Sequence, residues 1–353
     1  MTKTYLVTGG AGFIGSNFVH YALATYANIK IINVDALTYA GNLENLEGVL
    51  DDPRHVFAHV DIRDRNAVDA LFALHKPDYV INFAAESHVD RSIDNPSIFT
   101  ETNISGTISL LDAARSHWQN EDKWGAHRFL QVSTDEVYGS LPLEDTSALF
   151  SESTPLNPHS PYSASKAAAD LLVMAYGDTY GMPVCITRCS NNYGPRQFPE
   201  KLIPLVINNA LNHRKLPVYG DGLNVRDWLY VEDHCRAVDL VLHEGIPGEV
   251  YNVGGSNERA NIALVETIVA YLSDHVDAAI STALIEHVTD RQGHDRRYGI
   301  DASKIKRDVG WEPRVGFDEG IALTIQWYLE HEEWVAHAVS GAYVSYYEKR
   351  YGN

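Results

Sequence analysis

The sequence predicts an α/β protein, with a doubly wound parallel sheet in its first half and a smaller α+β domain towards the C-terminus. Short β-rich runs alternate with helical stretches up to about residue 188, as in a parallel sheet with helices on both faces. These runs are apolar throughout, which is typical of strands covered on both sides. After Asn192 the pattern changes, because four prolines divide the chain into shorter segments: Pro195, Pro199, Pro204 and Pro217.

The predicted elements alternate along the chain. The strands are Tyr5–Thr8, Ile29–Val34, His55–His59, Tyr79–Phe83, Arg128–Ser133 and Val184–Arg188. The helical patterns between them include Val68–His75, Asn103–His117 and Ala164–Thr179. A helix at Val231–Glu244 and a strand at Glu249–Val253 indicate that the chain then returns to the first domain. We therefore assign residues 1–193 and 231–255 to the first domain, and residues 194–230 and 256–353 to the second.

Composition and charge narrow the class of protein. The 353 residues are 45% hydrophobic and 21% charged, as in a soluble globular protein of about two domains. The net charge of −19 argues against non-specific binding of nucleic acid. The three cysteines form no CxxC pair and the N-terminus has no signal-peptide pattern, so we expect a cytoplasmic protein with reduced thiols. No apolar run reaches the ~20 residues of a membrane helix.

A glycine-rich segment directly follows the first predicted strand and opens a helix. Gly10, Gly12 and Gly15 have the G-x-G-x-x-G spacing, and Gly9 precedes them. Such glycines allow a tight turn and bring backbone amides close to a pyrophosphate at the helix N-terminus. The context of strand, turn and helix indicates a Rossmann-type site for a dinucleotide.

Residues after the next two strands suit the adenosine half of that cofactor. Asp35 ends the second strand, 20 residues after Gly15. A carboxylate there binds ribose hydroxyls and repels the extra phosphate of NADP, so we expect NAD. A solvated aspartate at a strand end is the alternative. Asp61 and Ile62 follow the third strand and are candidates for contact with adenine.

Tyr162 and Lys166 stand four residues apart in a predicted helix and therefore share one face. A free tyrosine has a pKa of ~10, which a nearby ammonium and a positive nicotinamide ring both lower. Tyr162 is thus the candidate base for a substrate hydroxyl, with an exposed helical pair as the alternative. Together with the glycine motif, the pair resembles the extended branch of the short-chain dehydrogenase/reductase superfamily.

Two acidic residues follow the fifth predicted strand, next to Thr134. Adjacent side chains on a regular strand point to opposite faces, so Asp135 and Glu136 serve one substrate only where the strand breaks into a turn. Two carboxyls in one pocket can hold different protonation states, one an acid and one a base. This suits an elimination of water. On the residues alone, an alternative stays open, in which Asp135 caps a helix and Glu136 is solvated.

Several long strings resemble those of the dTDP-glucose 4,6-dehydratases. They extend from residue 7 to about residue 300, so the resemblance covers most of the chain. The most informative string is STDEVYG at residues 133–139. The others are DALTYAGN at 35–42, AAESHVDRS at 84–92, NNYGP at 191–195, PEKLIP at 199–204, VYGDG at 218–222, RDW at 226–228 and DRQGHDRRY at 290–298.

The resemblance implies a redox-neutral reaction on bound NAD. Tyr162 takes the proton of the sugar 4-hydroxyl while hydride leaves C4. The new ketone acidifies C5–H, which Glu136 removes, and Asp135 protonates the departing C6 hydroxyl. Hydride returns to C6 and gives a 4-keto-6-deoxy sugar. Thr134 holds the 4-hydroxyl, while Lys166 orients the nicotinamide ribose and lowers the pKa of Tyr162.

The resemblance also implies which residues bind each ligand, with NAD in the first domain and the nucleotide-sugar in the second. Arg226 and Arg291 match phosphate-binding positions, where bidentate arginines suit a nucleoside diphosphate; surface arginines are the alternative. The other expected substrate contacts are Ser87, Thr134, Asn191, Lys201, Leu202, Pro217, Tyr219, Asn261, Asp290, His294 and Tyr298. The expected NAD contacts are Gly9, Gly12, Phe13, Ile14, Gly15, Asp35, Leu37, Thr38, Asp61, Ile62, Ala84, Ala85, Ser87, Thr100, Tyr162, Lys166 and Asn192. The sixteen histidines lack metal-binding spacing, so we expect no metal.

Two other functions stay open at this point. A nucleotide-sugar 4-epimerase shares the glycines, Asp35, Tyr162 and Lys166, but needs no acid and base beside Thr134. A non-catalytic NAD-binding protein is the second, since the fold alone does not fix a function, although such a protein usually lacks the tyrosine–lysine pair. The superfamily resemblance further implies a homodimer formed through the helices Asn103–His117 and Ala164–Thr179.

Overall fold

The computed structural model describes residues 2–119, 124 and 127–340. The strands are β1 (Lys3–Thr8), β2 (Ile29–Asp35), β3 (His55–His59), β4 (Tyr79–Asn82), β5 (Arg128–Thr134), β6 (Val184–Cys189), β7 (Asn191–Tyr193), β8 (Leu216–Tyr219), β9 (Val225–Tyr230), β10 (Glu249–Val253), β11 (Glu258–Ala260) and β12 (Ile285–Val288). The helices are α1 (Phe13–Thr25), α2 (Arg65–His75), α3 (Val89–Asp94), α4 (Pro96–Phe99), α5 (Thr107–Trp118), α6 (Pro161–Tyr180), α7 (Leu202–Leu211), α8 (Val231–Glu244), α9 (Asn261–His275), α10 (Ser303–Val309), α11 (Phe317–Glu330) and α12 (Glu332–Ala338).

The main sheet is parallel and has the order β10-β6-β5-β4-β1-β2-β3 over the described residues. This confirms the predicted α/β class. The chain order reverses at β1, which lies between β2 and β4. Sheets of this kind bind ligands in the crevice at the carboxyl ends of the strands where the order reverses.

Helix α6, which carries Tyr162 and Lys166, starts earlier than its apolar pattern predicts because its first turn is capped. Ser160 Oγ accepts from the Ser163 amide at 3.0 Å, and Ser163 Oγ accepts from the Ser160 amide at 3.0 Å. Pro161 fits the first turn, where its missing N–H has no helical partner. The helix ends at Gly181, whose φ of 68° is left-handed.

The predicted helix Asn103–His117 differs in its first turn. Residues Thr100–Gly106 form a π-helix that leads into α5. The side chain of Asn103 bridges two elements there: its Oδ1 accepts from the Glu86 amide at 2.8 Å, and its Nδ2 donates to Ser165 Oγ at 2.8 Å. The widened turn therefore joins the loop after β4 to the helix of the tyrosine–lysine pair.

The second half of the chain adds a separate apolar core and then returns to the main sheet. Strands β11-β9-β7 form one small sheet and β12-β8 another. They pack with α7, α9 and α11 around buried residues that include Trp228, Ile268 and Ile325. Strand β10 then pairs with β6, while α8 packs against α1. In the described part of the chain, no helix is both long and apolar enough to cross a membrane. The last residues of the range assigned to the second domain, 341–353, lie outside the described residues.

Candidate active site

A cleft of about 320 Å³ lies at the carboxyl ends of β1, β4, β5 and β6. This is the edge of the sheet at which the strand order reverses. Many of the residues expected to bind ligands line its walls. They are Gly9, Gly12, Phe13, Ile14, Gly15, Asp35, Thr38, Asp61, Ile62, Ala84, Ala85, Ser87, Thr134, Asp135, Glu136, Tyr162, Lys166, Asn191, Asn192 and Lys201.

The glycine-rich turn at one end of the cleft leaves no room for side chains. Gly9 has a φ of 67°, and a Cβ there would lie 2.7 Å from the Ala84 nitrogen. A Cβ at Gly15 would lie 2.2 Å from the Gly9 carbonyl oxygen. Because α1 begins at Phe13, its free amides face the same turn. The backbone here fits a diphosphate group.

Asp35 is fixed beside this turn. Its Oδ2 accepts from the Ala11 amide at 2.9 Å and its Oδ1 accepts from the Leu37 amide at 2.8 Å. Burial raises the pKa of this carboxyl, while the two amide bonds lower it. The carboxyl lines the cleft next to the glycine turn, so the residues present fit NAD.

Asp61 lines the cleft and also forms an ion pair. Its Oδ2 lies 2.6 Å from Arg63 Nη2, and Arg63 Nη1 lies 3.2 Å from Glu101 on the π-helix. The hydrogen bonds from Arg63 hold the pKa of Asp61 below its usual range. The Arg63 side chain therefore spans this end of the cleft, from the loop after β3 to the π-helix.

The acidic pair lies in a turn, which is the condition under which both carboxyls can face one substrate. Strand β5 ends at Thr134, and residues Asp135–Tyr138 form a 3₁₀ helix. Thr134 Oγ1 accepts from the Glu136 amide at 3.3 Å and caps this helix. Both carboxyls line the cleft. Asp135 is 1% exposed, and its Oδ2 has no hydrogen-bond partner among the described residues.

The two carboxyls differ in their charged surroundings. Burial raises the pKa of Asp135 well above its usual range, and the negative charges of Glu136 and Asp227 add to this, while the Arg226 cation opposes it. Burial also raises the pKa of Glu136, but Arg291, Arg226 and Lys201 all oppose the shift. Asp135 therefore keeps its proton more strongly, while Glu136 is the better placed to be a carboxylate.

Tyr162 and Lys166 lie on one buried face of α6. Tyr162 is 9% exposed, and burial raises the pKa of its phenol, with Glu136 adding to the effect and the Thr134 hydroxyl opposing it. Lys166 is 4% exposed, and its Nζ donates to the Val132 carbonyl at 2.7 Å. Burial lowers the pKa of the Lys166 ammonium, and Asp170 opposes this shift. Tyr162 lies next to the acidic turn.

Two arginines that suit an anionic substrate, Arg226 and Arg291, lie near Glu136. The guanidinium of Arg226 stacks 4.1 Å from the centre of the Tyr298 ring. Both Arg226 and Arg291 act electrostatically on Glu136. Within the described residues, Arg291 Nε, Asn191 Oδ1 and Asn261 Oδ1 are buried without a hydrogen-bond partner. Burying such atoms destabilises the fold unless a ligand or a water molecule forms a hydrogen bond with them.

Three further residues expected to bind substrate, His294, Asp290 and Tyr298, form hydrogen bonds near these arginines. His294 Nδ1 lies 2.6 Å from Asp290 Oδ1, and burial, with Arg291 and Arg226, lowers the pKa of His294 to about 4. The Tyr298 hydroxyl donates to Asp295 at 2.7 Å. Several of the expected residues do not line the cleft: Leu37, Thr100, Leu202, Pro217, Tyr219, Arg226, Asn261, Asp290, Arg291, His294 and Tyr298.

Thr100 is one of the expected residues that do not line the cleft. Its hydroxyl donates to the Ser97 carbonyl at 2.8 Å at the start of the π-helix, and the nearby residues Ile98 and Thr102 line the cleft.

The cleft also contains residues that the sequence analysis did not select. Tyr39, Glu86, Cys189 and Glu200 line it. Arg91 stacks 3.9 Å from the centre of the Tyr39 ring and lies 3.0 Å from Glu200 Oε2. Tyr39 and Glu200 fall inside two of the quoted strings, residues 35–42 and 199–204. Their place in these strings could have indicated a role in the site, but no motif assigned a role to either residue.

Comparisons with known proteins agree with this geometry. Residues 6–324 match the family described as GDP-mannose 4,6 dehydratase. A dTDP-glucose 4,6-dehydratase of Xanthomonas campestris pv. campestris is 54% identical over 345 residues, which are 96% of this chain and 97% of that protein. The crystal structure of dTDP-glucose 4,6-dehydratase from Bacillus anthracis, in complex with NAD, is 49% identical with a TM-score of 0.85, covering 96% of this chain and all of that one. The one from Streptomyces venezuelae, also with NAD, is 48% identical with a TM-score of 0.86, covering 95% and 99%.

Proposed function

Because the chain belongs to the dTDP-glucose 4,6-dehydratase family, we propose that its cleft carries out the reaction of that family with Thr134, Asp135, Glu136, Tyr162 and Lys166. The protein is an NAD-dependent hydro-lyase that converts dTDP-glucose into dTDP-4-keto-6-deoxyglucose. The residue roles rest on the placement of both carboxyls in the cleft, where burial raises the pKa of Asp135 well above its usual range and three cations favour the ionised form of Glu136.

The first domain would hold the cofactor. Gly9 and Gly15 leave space for its diphosphate, Asp35 would bind the adenosine ribose, and Lys166 the nicotinamide ribose. When bound, NAD⁺ supplies the redox chemistry, taking a hydride from C4 of the sugar and returning it to C6.

Tyr162 would remove the proton of the C4 hydroxyl as C4 becomes a ketone. Its buried phenol needs help to ionise, and two neighbours supply it. The Thr134 hydroxyl lowers the pKa of Tyr162, and the Lys166 ammonium on the same helix face favours a phenolate. Thr134 is also placed to hold the same sugar hydroxyl.

Glu136 and Asp135 would then remove water across C5 and C6. The C4 ketone acidifies C5–H, and the Glu136 carboxylate takes that proton. The electron pair of the broken C5–H bond forms the C5–C6 double bond while the C6 hydroxyl leaves. Asp135 gives this hydroxyl its proton, so the leaving group is water. When hydride then reaches C6, Glu136 returns its proton to C5, which gives the 4-keto-6-deoxy sugar.

The second domain would bind the nucleoside diphosphate. Arg226 is held by the Asp295 carbonyl at 2.9 Å and by the stacked Tyr298 ring, so its guanidinium has a fixed direction. Arg291 Nε is a buried donor without a partner in the described structure, which suits a phosphate oxygen.

We also propose a cytoplasmic homodimer that forms through α5 and α6. Helix α6 exposes Ala164, Leu171 and Ala175 along one side, and Leu171 is 62% exposed. Three buried free cysteines are consistent with a reducing compartment. Leu171→Glu should convert a dimer in solution into a monomer, as measured by light scattering. A monomeric unsubstituted protein would reject the dimer.

The reaction is tested by incubating the purified protein with dTDP-glucose and, in parallel, with UDP-glucose. We expect a 4-keto-6-deoxy product from dTDP-glucose, detected by mass spectrometry as the loss of one water. Formation of dTDP-galactose without loss of water would indicate an epimerase. Binding of NAD without any turnover would indicate a non-catalytic protein.

A further inference from the structure

A buried acidic residue lies one helical turn beyond the reactive lysine on α6. Asp170 follows Lys166 by four residues on α6, so the two side chains project from one side of the helix. Asp170 is 0% exposed and Lys166 is 4% exposed. Neither the glycine motif nor the acidic turn includes Asp170, and it does not line the cleft.

Asp170 belongs to a network that reaches both catalytic elements. Arg188 on β6 donates from Nε to Asp170 Oδ2 at 2.8 Å. The same guanidinium donates from Nη1 to the Tyr138 hydroxyl at 3.0 Å, and Tyr138 donates to Asn252 Oδ1 at 2.7 Å. Tyr138 ends the 3₁₀ helix that starts at Asp135. The network therefore connects the helix of Lys166 with the turn of the acidic pair.

A buried ammonium needs a negative charge nearby. Lys166 has one hydrogen bond to a carbonyl, that of Val132, and burial disfavours its charged form. The other titratable group acting on it is Cys189 on β6, whose pKa burial raises to about 12, so this thiol is neutral. Asp170 is thus the acidic residue of α6 that favours the charged form of Lys166.

We propose that Asp170 is a positioning residue that keeps Lys166 in its ammonium form and so makes the phenolate of Tyr162 accessible during oxidation at C4. This inference rests on the roles proposed above for Tyr162 and Lys166. Arg188 holds the Asp170 carboxyl in place and favours its ionised form, against burial, which raises the pKa of Asp170.

Other groups face these side chains and stay unchanged in the test. Asp170 is also faced by Ser133 and Tyr138. Tyr162 is also faced by Glu136 and Asp135 of the acidic turn, by Cys189 of β6 and by Thr134. A change confined to Asp170 therefore alters one charge next to Lys166 and leaves the groups around Tyr162 intact.

The test is Asp170→Asn, which preserves shape and removes the charge. The rate of NADH formation in a single turnover with dTDP-glucose is measured at 340 nm between pH 6 and 10. In the plot of this rate against pH, we expect the midpoint of the rising part to move to higher pH by about one unit or more. The rate at pH 7 should fall about tenfold. The KM for dTDP-glucose should change less than about twofold, because Asp170 does not contact the cleft.

A matched control separates this effect from loss of packing. Asp233 on α8 also forms a buried pair, with Arg236 at 2.8 Å, far from Lys166 in the sequence and on another helix. Asp233→Asn should lower the Tm without moving the pH midpoint. If Asp170→Asn lowers the Tm in the same way and leaves the midpoint unmoved, Asp170 is only structural and the inference is wrong.

A second variant covers the case in which Asp170→Asn does not fold. Arg188→Lys keeps a cation beside Asp170 but loses the guanidinium hydrogen bond that favours the Asp170 carboxylate. The midpoint should then move to higher pH, by less than in Asp170→Asn, and an unmoved midpoint in the folded variant would overturn the proposal. The unsubstituted protein is assayed alongside, so that absence of turnover in it rejects the proposed function and not this inference alone.

Discussion

Asp135 and Glu136 are consecutive residues of one 3₁₀ helix, yet the charges around them differ. The Glu136 carboxylate itself raises the pKa of Asp135, after burial, while Arg291, Arg226 and Lys201 favour the ionised form of Glu136. The turn that places them together also separates their protonation states. An elimination of water needs one carboxylate and one protonated carboxyl. The carboxylate removes a proton from one carbon, and the carboxyl protonates the hydroxyl that leaves the next carbon.

Glu136→Gln should stop the reaction after oxidation at C4. Glutamine cannot accept the C5 proton, so exchange of C5–H with deuterated water should fall at least about 100-fold. NADH should still form, because loss of the Glu136 charge removes one cause of the raised pKa of Tyr162. NADH absorbance and mass spectrometry of the sugar give both values. Normal exchange at C5 would contradict the role of Glu136.

Asp135→Asn should block a different step. The variant retains Glu136, so exchange at C5 should continue after oxidation at C4. Loss of water from C6 should slow about 100-fold or more, because asparagine has no proton to transfer. The two variants are assayed in parallel by C5 deuterium content and by product mass. Elimination at the unsubstituted rate would show that another group is the acid.

Asp135→Asn should also stabilise the fold at neutral pH, and the sign follows from the raised pKa. Below the pKa of the unfolded carboxyl, both states are protonated and Asp135 has no effect. As the pH rises above it, the unfolded chain releases the proton and the folded protein retains it, so the free energy of unfolding falls. Removing the carboxyl should therefore raise stability by about 1 kcal/mol at pH 8 and leave it unchanged near pH 3. Thermal melts at the two pH values measure this, and an equal change at both would contradict the retained proton.

Arg291→Met should weaken substrate binding and also slow the elimination, because Arg291 favours the ionised form of Glu136. Methionine retains much of the volume of the side chain but removes the buried Nε donor, and a hydrogen bond to a charged group contributes about 1.5–3 kcal/mol. The KM for dTDP-glucose should rise about 10-fold to 100-fold. Arg307→Met, at an exposed arginine on α10, is the control and should leave the KM unchanged. A normal KM for Arg291→Met would remove Arg291 from the substrate site.

Gly15→Ala should abolish retention of NAD. The added Cβ would lie 2.2 Å from the Gly9 carbonyl oxygen, so the glycine turn must move away from the diphosphate. Gly316→Ala is the matched control, because a Cβ at Gly316 meets nothing within 4 Å. Cofactor content is read from the absorbance of the denatured, filtered protein. Equal NAD content in both variants would place the diphosphate elsewhere.

The parallel sheet could be predicted because its strands are apolar and its turns contain strong signals. Strand β3, helix α8 and strand β10 have the bounds that the sequence predicted. The short strands β7, β8, β11 and β12 could not be predicted, since three or four residues carry too little periodicity. The π-helix at Thr100–Gly106 also has no local signal, because Asn103 is held by distant partners on the loop after β4 and on α6.

The sequence predicted some residues of the candidate site from their spacing and others by resemblance alone. The glycines, Asp35 and the Tyr162–Lys166 pair follow from spacing on a strand or a helix. Arg226 and Arg291 were selected by resemblance alone, because long-range folding brings β9 and the loop after β12 towards Glu136. Asp170 was missed because a buried aspartate and a solvated one have the same letter in a helical pattern.

The late position of β10 in the chain affects how the protein emerges from the ribosome. Strand β6 has its neighbour on one side, β5, as soon as it is made, but its other side waits for Glu249–Val253. Until then the nascent chain presents a row of unpaired amides and carbonyls along an apolar strand. Such an edge is a target for chaperones and for misassembly between neighbouring chains, so synthesis of the intervening residues sets the duration of that exposure.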